Sequence, residues 1–125
     1  MISPTLKKLR YREGAKVCVL GAPASFEAEL AQAEELHRVE RLGKGLDIVQ
    51  AFYTRQSQLD RDKARLGAAL AEKGILWICY PKAKGLSTDL NRDLIREAMA
   101  DAGLDTVAIV AIDAVWSALR CKRNP

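Results

Sequence analysis

Residues Gly74 to Asp93, GILWICYPKAKGLSTDLNRD, constrain the fold more than any other stretch. Ile75 to Tyr80 is apolar almost throughout, which marks a strand covered on both faces. Pro81 ends it. Lys82-Ala83-Lys84-Gly85 reads as a basic loop, and Thr88 reads as the cap of a helix. Leu90, Leu94, Ile95, Ala98 and Met99 fall on one stripe of that helix. A strand buried on both sides needs helices above and below it. The chain is therefore expected to be a three-layer, Rossmann-like α/β domain with a mostly parallel sheet.

The rest of the chain repeats this alternation. Lys16 to Leu20 and Asp47 to Tyr53 are strands, and His37 to Leu42 is a short edge strand. One helix starts at Ser25, with Glu27 and Glu29 in its first turn. A second spans 55–72, with Leu59, Leu66 and Leu70 inward and Gly74 as its stop. Thr106 to Ile112 and Val115 to Lys122 are strands joined only by Asp113-Ala114. So short a connection permits an antiparallel pair and no other, because a parallel return needs a crossover. Strands at 16–21, 47–53 and 74–80 are expected as parallel neighbours joined by right-handed crossovers. Residues 1–13 form a basic lead-in, irregular or a short helix, and 14–125 form one α/β domain.

Charge bears on partners. The net charge of +4 sits at the ends: Lys7, Lys8, Arg10 and Arg12 precede the first acid, and Arg120, Lys122 and Arg123 follow the last. Between them thirteen bases face sixteen acids, so the body is mildly acidic. That distribution argues against nucleic acid, unless both ends converge on one face. No apolar run is long enough to span a bilayer, and Met1-Ile2-Ser3-Pro4 begins no signal peptide, so a cytoplasmic protein is expected. Cys18, Cys79 and Cys121 lie in apolar runs without metal-ligand spacing and are expected to be buried thiols.

Two resemblances follow. The α/β core ending in an antiparallel strand pair resembles the class I S-adenosylmethionine-dependent methyltransferase fold, reduced by one strand–helix unit between Leu42 and Asp47. That likeness implies the strand order 2-1-3-4-6-5. More closely, Gly74 to Lys82, Thr88 to Asp93 and Asp113-Ala114-Val115-Trp116-Ser117-Ala118-Leu119 resemble a bacterial family of small proteins known only as a domain of unknown function. The methyltransferase likeness implies a glycine-rich cofactor loop after the first strand. Here that place holds Leu20-Gly21-Ala22-Pro23-Ala24-Ser25, with one glycine and a proline that lacks an N–H. Glu40 is the nearest acid for a ribose, and Phe52-Tyr53-Thr54 replaces the Asn/Asp-Pro-Pro-aromatic motif. No cofactor is expected on these grounds.

The candidate site is the basic loop. Lys82 and Lys84 flank a helix start where free N–H groups and the dipole favour anions. Ser87 and Thr88 add hydroxyls, and Arg92 lies one turn in. Tyr53 and Tyr80 end adjacent strands and could flank a flat ligand beside Gly21. Trp116 could cover a pocket or a partner's surface. Each has a plainer reading as solvated lysine, cap or core aromatic. Lone His37 offers no triad or metal set, and no catalytic or metal residue is assigned. The expected function is a non-catalytic binding or interaction module, with a small anion, a second copy or another protein as partner. The alternative is a small enzyme acting on an anionic or nucleotide-like substrate at the strand ends. Nucleic-acid binding through the basic termini ranks third.

Overall fold

A computed structural model describes residues 1–82 and 86–123. Its elements run α1 (Pro4–Lys8), β1 (Lys16–Leu20), α2 (Ala24–Ala31), β2 (His37–Val39), β3 (Leu46–Phe52), α3 (Gln56–Ala68), β4 (Leu70–Pro81), α4 (Arg92–Asp101), β5 (Leu104–Ala111) and β6 (Trp116–Arg123). The six strands form one sheet in the order β2-β1-β3-β4-β6-β5, as the methyltransferase likeness implied. β1, β2, β3 and β4 pair in parallel, and β6 inserts antiparallel between β4 and β5.

Strand alternation divides the core into two layers. Leu76 and Ile78 of β4 face Leu59 and Leu66 of α3 and Ile95 and Met99 of α4. Trp77 and Cys79 face the other way, with Leu6 of α1 and Phe26 and Leu30 of α2. β4 is thus covered on both sides, the physical reason its sequence is apolar at successive positions. The basic lead-in carries Leu6, Leu9 and Tyr11 into this second layer. There the Trp77 indole N–H donates to the Leu9 carbonyl at 2.9 Å, satisfying a polar group that would otherwise be stranded. Tyr11 donates to Gln50 Oε1 at 2.7 Å, which partners a glutamine buried in the sheet. Cys18, Cys79 and Cys121 are all buried and free, and burial pushes the Cys121 thiol up to about 12.

Three local expectations are corrected. Gly74 does not close a helix: α3 ends at Ala68, and Gly74 lies inside β4. Leu70 is buried and pairs with Leu46, so sheet pairing overrides the helix propensity of 69–72. Ser25 does not cap α2; Pro23 is the N-cap, and its carbonyl accepts the N–H groups of Phe26 and Glu27 at 3.0 Å each. Thr88 does not cap α4, because the chain first buries Leu90. Asn91 is the cap, accepting the Leu94 N–H at 2.9 Å.

Candidate functional site

The carboxyl ends of β1, β3 and β4 lie at one edge of the sheet, where open α/β folds hold ligands. At that edge Gly21 turns the chain with φ of +68°. A Cβ built there would stand 2.9 Å from the Phe52 carbonyl oxygen. Only glycine fits both the backbone angle and the contact. The β1–α2 loop is therefore closed down on the end of β3.

Space opens beside this closure, toward α1 and the β5–β6 hairpin. A cavity of about 210 Å³ lies between Pro23, Phe26, Phe52, Ile112 and Trp116, with Thr5, Ser25, Glu29 and Asp113 also lining it. Its aromatic wall is built by packing. Phe26 and Phe52 have ring centres 5.2 Å apart, and Phe52 meets Trp116 edge-on at 5.1 Å. Asp113 Oδ1 accepts the N–H groups of Val115 and Trp116, both at 2.8 Å, and so fixes the hairpin that presents the indole. Glu29 accepts the hydroxyl proton of Ser3, which ties α2 to the start of α1.

The structure divides the sequence-derived candidates. Gly21 and Trp116 belong to this edge. Lys82 reaches the hairpin, where its ammonium donates to the Asp113 carbonyl at 2.7 Å. Ser87 and Thr88 engage the opposite side, at the start of α3. The Ser87 hydroxyl accepts from Arg55 at 3.5 Å, and the Thr88 hydroxyl donates to the Thr54 carbonyl at 2.7 Å. Lys84 lies outside the described residues. Arg92 opens α4 and opposes the upward push that burial exerts on the pKa of Tyr80.

Tyr53 does not flank a ligand, contrary to the expectation. It is 4% exposed and packs in the layer under α3 and α4. Its hydroxyl donates to Asp62 Oδ2 at 2.8 Å. Burial and that carboxylate both raise the Tyr53 pKa. Asp62 is itself buried; burial raises its pKa, but hydrogen bonds from Arg61, Arg65 and Tyr53 outweigh this and leave it low. This cluster ties Tyr53 to the middle of α3.

Sequence reasoning missed Phe26, Phe52, Thr5 and Glu29 as cavity residues. Phe52 carried a signal, since an aromatic residue ends a strand at the ligand-binding edge. Thr5 and Glu29 carried none, because their place depends on α1 folding back over the sheet. Among the described residues no group of three or more His, Cys, Asp or Glu could hold a metal ion, and no helix is long and apolar enough to cross a membrane.

No family model matches the chain, and no curated protein matches it. Solved structures do. A TehB-like SAM-dependent methyltransferase from Corynebacterium glutamicum superposes with a TM-score of 0.59 at 11% identity, over 94% of this chain and 85% of that one. Magnesium protoporphyrin IX methyltransferase from Synechocystis, with bound SAH, gives 0.63 at 13% identity, over 95% and 78%. A ribosomal protein L11 methylase from Lactobacillus delbrueckii subsp. bulgaricus gives 0.60 at 12%, over 94% and 74%. The residues here do not fit the cofactor such a fold implies: the loop after β1 abuts the Phe52 carbonyl, and Pro23 offers no N–H. What these structures share with the chain is the architecture, a methyltransferase-like Rossmann fold.

Proposed function

We propose that the chain is a non-catalytic binding module on a methyltransferase-like core, and that it takes a small molecule in the cavity between α1, α2 and the hairpin. The observation that carries this reading is a cavity lined by Phe26, Phe52 and Trp116 together with the hydroxyl residues Thr5 and Ser25 and the acids Glu29 and Asp113. An apolar recess with a few fixed polar groups is the usual form of a small-ligand site. Both carboxylates are already held by internal donors, so they act as oriented acceptors. The fitting ligand has a flat apolar body and a donor-bearing or positively charged end, since aromatic faces and carboxylates both attract cations.

Thermal shift against aromatic amines, aromatic carboxylates and S-adenosylmethionine tests the proposal. A native-state ligand raises Tm by mass action. Amines are expected to stabilise the protein, and Glu29→Gln is expected to weaken the effect. Stabilisation by carboxylates alone would overturn the ligand class. Micromolar calorimetric binding of S-adenosylmethionine would overturn the non-catalytic reading. The second reading, a small enzyme on an anionic or nucleotide-like substrate, is favoured by the Lys82 ammonium at Asp113 on the cavity's rim. It calls for carboxylate or phosphate ligands whose affinity falls in Lys82→Ala.

A further inference from the structure

The opposite edge of the sheet holds a second constellation. Leu46 pairs with Leu70 and Ile48 with Ile75, so β3 advances two residues while β4 advances five. Ala71, Glu72, Lys73 and Gly74 stand against Asp47 alone, a bulge of three extra residues. The bulge folds tightly on itself. A Cβ built on Gly74 would stand 2.6 Å from the Leu46 carbonyl oxygen and 3.1 Å from both N and O of Ala71. Bulges of this kind re-aim side chains and are built features of a sheet rather than defects.

Against the bulge runs the end of β6. Together they line a cavity of about 260 Å³ that contains Lys73, Arg120, Lys122 and Arg123, with Glu72 the one acid among its residues. Arg120 stands opposite Trp77, so it and Lys122 point to the α1 and α2 side of the sheet. Arg123 comes from the other side and is anchored: its Nη2 donates to the Gly67 carbonyl at 2.8 Å and the Leu70 carbonyl at 2.6 Å. None of the four cations has an ion-pair partner within 4.0 Å among the described residues. Arg120 Nε is buried and has no hydrogen-bond partner among the described residues.

Such a nitrogen needs explaining. A buried donor without an acceptor carries its full desolvation cost, and unmatched groups in native proteins commonly mark a missing ion or water. Gathering like charges in one recess adds repulsion. A multivalent oxyanion relieves both, because its oxygens accept from several N–H groups at once and its charge offsets the cations. Guanidinium is the group best suited to phosphate, through paired N–H donors in a fixed fork. At about 260 Å³ the recess has room for a phosphate with a small substituent.

We propose that the cavity between the β4 bulge and the end of β6 binds inorganic phosphate or a small phosphate monoester. This site is independent of the aromatic cavity and lies at the other end of the strands. The basic carboxyl-terminal cluster, unused by the site above, thereby acquires a role.

The test is an amide nuclear magnetic resonance titration of the full chain with inorganic phosphate and with phenyl phosphate, at ionic strength held constant with chloride. Saturable shifts are expected for amides of 71–75 and 120–123, with those of Phe26, Phe52 and Trp116 unmoved. Arg120→Gln and Lys73→Ala are each expected to weaken phosphate at least fivefold. Lys73 is exposed, so Lys73→Ala decides the matter if the Arg120 variant does not fold. Shifts that grow linearly and match those from chloride would overturn the site. So would unchanged affinity in Lys73→Ala. A short DNA duplex that binds more tightly than phosphate, with steep loss in salt, would reassign the cluster to nucleic acid.

Discussion

The two ends of the sheet solve opposite problems with the same strands. At the carboxyl edge of the parallel strands, where the fold conventionally holds a ligand, the described polar groups are largely spoken for. Lys82 is bonded to Asp113, Thr88 to Thr54 and Tyr53 to Asp62. What stays open is an aromatic recess. At the far edge, where the fold supplies no habitual site, four cations gather with Glu72 as the one acid lining the recess, and one guanidinium nitrogen has no partner among the described residues. The lesson is that fold position and available chemistry are separate facts, and the second is decided by which groups already have partners.

The comparison is broken most severely at Trp116. It is 6% exposed and bridges Phe52 to the hairpin. Trp116→Ala is expected to cost about 3–5 kcal/mol in denaturant unfolding. Amine binding should vanish while the phosphate response at 71–75 and 120–123 persists under native conditions. Loss of both responses in a folded variant would show the two ends to be coupled.

Gly21→Ala probes the closure itself. An alanine at φ +68° is strained, and its Cβ meets the Phe52 carbonyl. We expect a loss of about 1–3 kcal/mol, measured by urea melts, with phosphate affinity unchanged. An unaltered midpoint would mean that the loop lifts freely from β3, which would weaken the case against a cofactor there.

Tyr53→Phe removes one of three donor groups from buried Asp62 and should cost about 1–2 kcal/mol. Asp62 also sets a pH dependence. Its folded pKa lies below the ordinary aspartate value, so its stabilising contribution is complete above that value and is lost as pH falls through the folded pKa. Melting temperature is expected to fall below about pH 4, where unfolded aspartates begin to protonate, and less steeply in Asp62→Asn. An identical acid limb in Asp62→Asn would place the sensitivity in other carboxylates.

The smallest effect belongs to Lys82. Its partly buried side chain makes one hydrogen bond to a hairpin carbonyl, so Lys82→Ala should shift stability by no more than about 0.5 kcal/mol. It should leave the phosphate response at the far edge untouched. A fall in that response would relocate anion binding to the carboxyl edge of the strands.

Much of the fold was legible because it rests on local periodicity. The apolar run Ile75 to Tyr80 names a doubly covered strand, and the two-residue corner at Asp113-Ala114 compels an antiparallel pair. These properties need no knowledge of distant neighbours. The limits appear where two segments compete. Residues 69–72 read as helix, yet Leu70 is drawn into the sheet by Leu46. Thr88 reads as a cap, yet its hydroxyl is taken by Thr54, thirty-four residues away in sequence. The candidate site suffered more than the fold. Lys82, Ser87 and Thr88 belong to one short stretch of sequence, but their side chains engage different elements, because a loop's neighbours are set by what it packs against. The sequence by itself determined the layers, the antiparallel terminal pair and the two-sided core, since hydrophobic pattern and connection length act along the chain; the strand order came from the methyltransferase likeness, which the sheet bears out. Tertiary structure alone decided which polar groups are already satisfied. A hydrogen bond or ion pair needs two partners in place, and only the folded arrangement brings Phe26 to Trp116 or leaves Arg120 Nε without an acceptor among the described residues.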